Sequence, residues 1–198
     1  MKKLVTLLML SLMASSAFAV IDPDPDMLGI YFDTTGDDNC LTTAANVPFF
    51  AYVILTNPTV PGVEAFEFGY ENAVPVGSEA LIFQLSTTLP AGAIDVGEGT
   101  PTAGNIIAGL ANPVPAAPAT VLVTWQYLLL SPMSVEMYLT ASNPSSIEGG
   151  LPVIQAEGSL RQVGLSTGGP SFPVATVNAG CAVATESDTW GGLKSLYR

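Results

Sequence analysis

Histidine is absent from this chain, and basic residues nearly so: Lys and Arg total 5 in 198 residues, against 17 Asp and Glu. Each shortage excludes a class of protein. A nucleic-acid surface needs clustered cations, and five basic residues cannot build one. Zinc hydrolases, Ser-His-Asp enzymes and Cys-His enzymes need imidazole, and none is present. Charge of either sign is scarce, at 11%, while hydrophobic residues reach 48%, too many for a disordered chain. Long amphipathic helices are missing too, because 19 Gly and 16 Pro interrupt the sequence throughout. The length suits one domain with a sizeable core.

The first 19 residues carry a targeting pattern. Lys2 and Lys3 are followed by an apolar run from Leu4 to Met13, then by Ala17-Phe18-Ala19. This is the three-part layout of a secretory signal peptide, with cleavage expected after Ala19. The run is short for a membrane span, and no Cys follows it to take a lipid anchor. No later segment has the pattern of a transmembrane helix. Cleavage would leave Arg161, Lys194 and Arg198 as the only cations against 17 acids. Such a body repels anionic surfaces and attracts cations.

Cys40 and Cys181 are the only cysteines. In an oxidising compartment they are expected to form one bridge. It would close a loop of about 140 residues, worth up to roughly 5 kcal/mol in the chain-entropy model.

Between the signal and Cys181 the chain has the pattern of an all-β protein. Val63–Glu71 alternates most clearly: Phe66, Phe68 and Tyr70 share one face, with Glu67 and Glu71 expected to meet solvent on the other. Leu28–Asp33, Val47–Asn57, Ala80–Leu85, Ala93–Val96, Asn105–Leu110 and Met133–Thr140 are further candidates, and Val153–Ala156 and Pro173–Val177 close the set. Ala119–Leu130 is the most apolar and is expected at the centre. Asn112–Pro118 is expected to be a loop. About ten short strands between turn signals predict an antiparallel β-sandwich, Ig-like or jelly-roll in layout. The organisation expected is 1–19 signal peptide, 20–181 sandwich and 182–198 tail.

Candidate chemistry is sparse. Asp33, Asp37 and Asp38 crowd around Gly36, and closely spaced oxygen ligands suit calcium. The same residues also suit a plain turn. No other cofactor is expected. Asp22, Asp24 and Asp26 alternate with Pro23 and Pro25, which predicts an extended, solvated N-terminus. Glu64, Glu67 and Glu71 are the nearest thing to a glycosidase carboxylate set. Phe50, Tyr52, Trp125, Tyr127 and Tyr138 would make a sugar-stacking platform if exposed, though aromatics in strands are ordinarily core. In the tail, Trp190, Leu193 and Tyr197 recur at helical spacing beside Lys194, Leu196 and Arg198. Such a tail either packs on the sandwich or serves as a docking or sorting tag.

The run Tyr52–Tyr70 (YVILTNPTVPGVEAFEFGY) resembles the opening of cohesin-like β-sandwich modules, where a strand ending near Asn turns into one whose aromatics pack inward. The ending Trp190-Gly191-x-x-Lys194-x-Leu196-Tyr197-Arg198 resembles a short C-terminal motif on secreted proteins of some uncultured bacterial lineages. The first resemblance implies a non-catalytic module for protein–protein or cell-surface assembly, and it carries no partner-binding residues onto this chain. The reading is therefore a secreted or cell-surface binding and assembly module, not an enzyme, whose partner is a protein or glycan. A carbohydrate-binding module is the alternative, and a glycoside-active enzyme the third.

Overall fold

A computed structural model describes residues 23–180. The signal-peptide expectation, Cys181 and the tail residues Trp190, Lys194, Leu196, Tyr197 and Arg198 lie outside the described residues.

The described chain is built of strands, with one short 3-10 turn at Glu79–Leu81. Thirteen strands follow in order: β1 Met27–Tyr31, β2 Cys40–Leu41, β3 Phe49–Thr56, β4 Gly62–Ala73, β5 Ile82–Thr88, β6 Ala93–Asp95, β7 Ala103–Pro115, β8 Ala119–Leu129, β9 Val135–Thr140, β10 Val153–Ala156, β11 Ser159–Gln162, β12 Gly164–Leu165 and β13 Ala175–Val177. They form two sheets. Sheet A runs β12-β1-β3-β8-β5. Sheet B runs β11-β10-β4-β9-β13-β2, with β7 on the other edge of β4 and β6 beyond β7. Pairing is antiparallel except for the short contacts β1–β12 and β2–β13.

Alternation decides which residues fill the space between the sheets. On β3, Ala51, Val53 and Leu55 point inward; on β4, Phe66, Phe68 and Tyr70 do so. Trp125, Tyr127 and Leu129 of β8 meet them, all fully buried. The Trp125 ring lies 5.0 Å from that of Tyr70 and 6.1 Å from that of Phe68. Burying each large side chain contributes roughly 1.5–3 kcal/mol, so this aromatic knot is a main source of stability. β8 lies between β3 and β5 in sheet A. It carries a bulge: Val53 faces Val123 and Ile54 faces Val121, leaving Leu122 without an opposite residue. Both Leu122 and Val123 then reach the core.

Three expectations need correction. Asn112–Pro115 is strand, not loop, because Val114 and Pro115 pair with Val63 and Gly62 at the end of β7. Proline is tolerated there because the register slips beside it. Glu67 is buried rather than solvated, because the 141–150 segment folds across the outer face of sheet B. Asp26 is fixed rather than freely solvated. Its carboxylate accepts from the Thr59 amide at 2.7 Å and sits 3.8 Å from the Arg161 guanidinium.

Candidate functional site

The outer face of sheet A has the least expected surface. On β3 the residues facing away from the core are Phe50, Tyr52, Ile54 and Thr56; Ile54 and Thr56 are buried, Tyr52 is half-buried, and only Phe50 is well exposed. Phe50 pairs with Gln126 of β8, Tyr52 with Thr124, and Phe83 of β5 with Leu128. None of the residues in β3, β5 or β8 is charged. Phe50 is 47% exposed, Phe83 43% and Leu85 48%. Val47 and Leu130 extend the apolar area at the same end of the sheet, where the Asn46 amide bonds the Leu129 carbonyl. Phe50 and Tyr52 stack with ring centroids 6.3 Å apart. An exposed apolar patch of this kind, here confined to the Phe50–Phe83 end of the sheet, is characteristic of interaction sites.

The other half of that face is covered by an acidic turn. The turn after β1 folds back along β3, so that a Cβ placed on Gly36 would lie 3.5 Å from Thr56 Cγ2 and 3.9 Å from Ala119 Cβ. Asp33 Oδ1 accepts from the Gly36 and Asp37 amides, and Asp38 Oδ1 accepts from the Cys40 amide. These are the bonds of an Asp-built turn. Among the described residues no group of three or more acidic or thiol side chains is placed to hold a metal ion. Asp37 and Asp38 remain exposed on this turn.

The five aromatics proposed as a platform separate. Trp125 and Tyr127 belong to the core and are closed to a sugar. Phe50 and Tyr52 lie on the outer face of sheet A. Tyr138 is on sheet B, donating to Glu136 Oε2 at 2.8 Å. That bond raises its phenol pKa, as do slight burial and the nearby carboxylates of Glu136 and Glu71.

The acidic residues of β4 are occupied. Glu67 accepts from the Ser146 amide at 2.6 Å and the Ser146 hydroxyl at 2.8 Å, with the Ser145 hydroxyl at 3.4 Å. Glu64 accepts from the Gly158 amide at 3.0 Å. Only Glu71 is exposed. Two open clefts accompany them. One, of about 310 Å³, lies between β5 and the β6–β7 hairpin, with Tyr70, Gln84, Asp95 and Asn105 in its wall. The other, of about 530 Å³, is lined by Glu64, Ile94, Pro113 and Gln155. Each holds a single carboxylate, whereas glycoside hydrolysis ordinarily needs two facing each other.

Cys40 opens β2 opposite Thr176 of β13. The Thr176 hydroxyl donates to the Gly180 carbonyl at 3.4 Å, so the chain turns back toward this strand pair just before Cys181. Sequence reasoning missed β2, β11 and β12. It also missed that Phe50 and Phe83 share one face, for which strand alternation was the only signal.

No family model matches the chain, and no curated protein matches it. Solved structures do. A type II cohesin domain from the cellulosome of Acetivibrio cellulolyticus superposes with a TM-score of 0.52 at 12% identity, covering 79% of this chain and 96% of that one. The second type II cohesin module of the ScaA scaffoldin of the same organism gives 0.51 at 14% identity, covering 80% and 94%. The cohesin of a type I cohesin–dockerin complex from Clostridium thermocellum gives 0.51 at 8%, covering 78% and 98%. The fold is thus a cohesin-like β-sandwich. These identities speak to the fold alone.

Proposed function

We propose that this protein is a secreted or cell-surface, non-catalytic module that works by binding and assembly, and that its partner is a protein. The apolar patch on sheet A around Phe50, Phe83 and Leu85 carries this reading, because it stands exposed on a chain with formal net charge −12. Apolar area with aromatic anchors and no buried charge suits a protein partner. The cohesin-like fold supports the assembly role, since the similar Clostridium thermocellum structure is a cohesin bound to a dockerin. Among the described residues no helix is long and apolar enough to cross a membrane.

Export rests on the Lys2-Lys3, apolar and Ala17-Phe18-Ala19 pattern. The disulfide between Cys40 and Cys181 rests on that compartment and on the turn that brings Gly180 back beside β13. Intact mass of the product from fractionated cells tests both. Export predicts a chain beginning at Val20, with the mass of the oxidised thiol pair. A chain retaining Met1 inside the cell would overturn the export reading.

A carbohydrate partner is the second reading, favoured by the stacked Phe50–Tyr52 pair alone. Screening against a glycan panel separates the two. Glycan binding abolished by Phe50→Ala would support this second reading and displace the protein partner.

A further inference from the structure

Resting on the reading of sheet A as a binding face, we propose that the occupant of this face is the chain's own C-terminal segment. The aromatics at its end cover Phe50, Tyr52 and Phe83, and its two cations meet the Asp33–Asp38 turn. Where the described chain stops is the first argument. Asn178 accepts from the Thr43 amide at 2.9 Å and donates to the Met133 carbonyl at 3.3 Å. Thr43 leads within a few residues to Val47 and Phe50, and Met133 follows Leu130 at the end of β8. Asn178, two residues before the described chain ends, therefore lies beside the end of sheet A where Val47, Leu130, Phe50 and Phe83 are exposed. Residues 181–198, fully extended, reach roughly 60 Å, more than the length of any strand here. A bridge from Cys181 to Cys40 would start the segment beside Asp38, closer still.

Composition is the second argument. The exposed patch is apolar and aromatic, and the acidic Asp33–Asp38 turn lies on the same face of the sheet, over Thr56. The segment carries the matching features: Trp190, Leu193, Leu196 and Tyr197 are apolar or aromatic, and Lys194 and Arg198 are two of the three cations beyond the signal region. The third, Arg161, is engaged with Asp26 and Thr59 on another part of the surface.

Fluorescence of the full secreted chain tests this. Trp125 is fully buried, so quenching by acrylamide reports chiefly on Trp190 once the signal of a Trp190→Phe variant is subtracted. Docking predicts Trp190 quenched several-fold less than free tryptophan, at a protein concentration where the chain is a monomer by light scattering. Phe50→Ser with Phe83→Ser should restore free quenching, with circular dichroism confirming an intact fold. Lys194→Glu with Arg198→Glu, which leaves the sandwich untouched, should increase quenching likewise. Quenching like free tryptophan in the unmutated chain would overturn the proposal. So would protection that both variant pairs leave unchanged. Protection appearing only at concentrations that form dimers would assign the face to a second copy's segment and overturn the intramolecular form. The wider reading fails separately, if the chain lacking protection also shows no partner on this face.

Discussion

Glu67 shows what one buried side chain does in this molecule. Its two oxygens take an amide and two hydroxyls from Ser145 and Ser146, fastening the 141–150 segment over sheet B. Hydrogen bonds to a charged group contribute about 1.5–3 kcal/mol each at most, and an abandoned buried amide adds a cost. Glu67→Ala is expected to lower stability by about 2–3 kcal/mol, read as a lower urea midpoint, and to speed amide exchange in 141–150. Tyr127 acts on pH dependence. Burial pushes its phenol far above the usual tyrosine range, outweighing the opposing bond from Asn72; burial and then Asp95 push Tyr70 up as well. An unfolded phenol ionises near pH 10, so the unfolded chain loses its proton first as pH rises. Stability from these two groups is full below about pH 10 and declines above it. Urea midpoints at pH 8 and pH 11 should show the decline, and Tyr127→Phe should flatten it. A slope unchanged by the substitution would contradict this account.

Elements were largely legible in the sequence. Val153–Ala156 has the predicted bounds, and β3, β4 and β8 differ from expectation by one to three residues. Period-2 alternation in Phe66, Phe68 and Tyr70 was strong because each faces the core. Two-residue strands such as β2 and β12 leave too few positions for any period to show. The outer faces were less legible. Whether Glu67 or Tyr52 meets water depends on which distant segment folds over it, and alternation says nothing of that. The β6–β7 hairpin gives a test at this scale. A Cβ on Gly99 would clash with the Tyr70 hydroxyl, which donates to the Thr100 carbonyl at 2.9 Å. A Cβ on Gly104 would strike Gly99 itself. Gly104→Ala is therefore expected to cost about 1–3 kcal/mol by overpacking, seen as a lower melting temperature. Arg161→Ala, removing a surface ion pair, should cost less than about 1 kcal/mol.

At the scale of the molecule, two sheets close on an aromatic core and leave an uncharged apolar patch open at one end of sheet A. The disulfide proposed between Cys40 and Cys181 would join the first sheet-B strand to the chain just beyond the last. Cys40→Ser should then lower the melting temperature under oxidising conditions and leave it unchanged under reducing ones, with up to roughly 5 kcal/mol at stake. The central claim is that the exposed patch around Phe50 and Phe83 on sheet A is a docking face. Photo-crosslinking from position 83 in the expressing cell tests it most directly, with fully exposed Val76 as the control position. The account predicts discrete protein adducts from position 83, either to residues 182–198 of the same chain or to one partner, and none from position 76. Position 83 giving no adduct, or the same diffuse products as position 76, would contradict it.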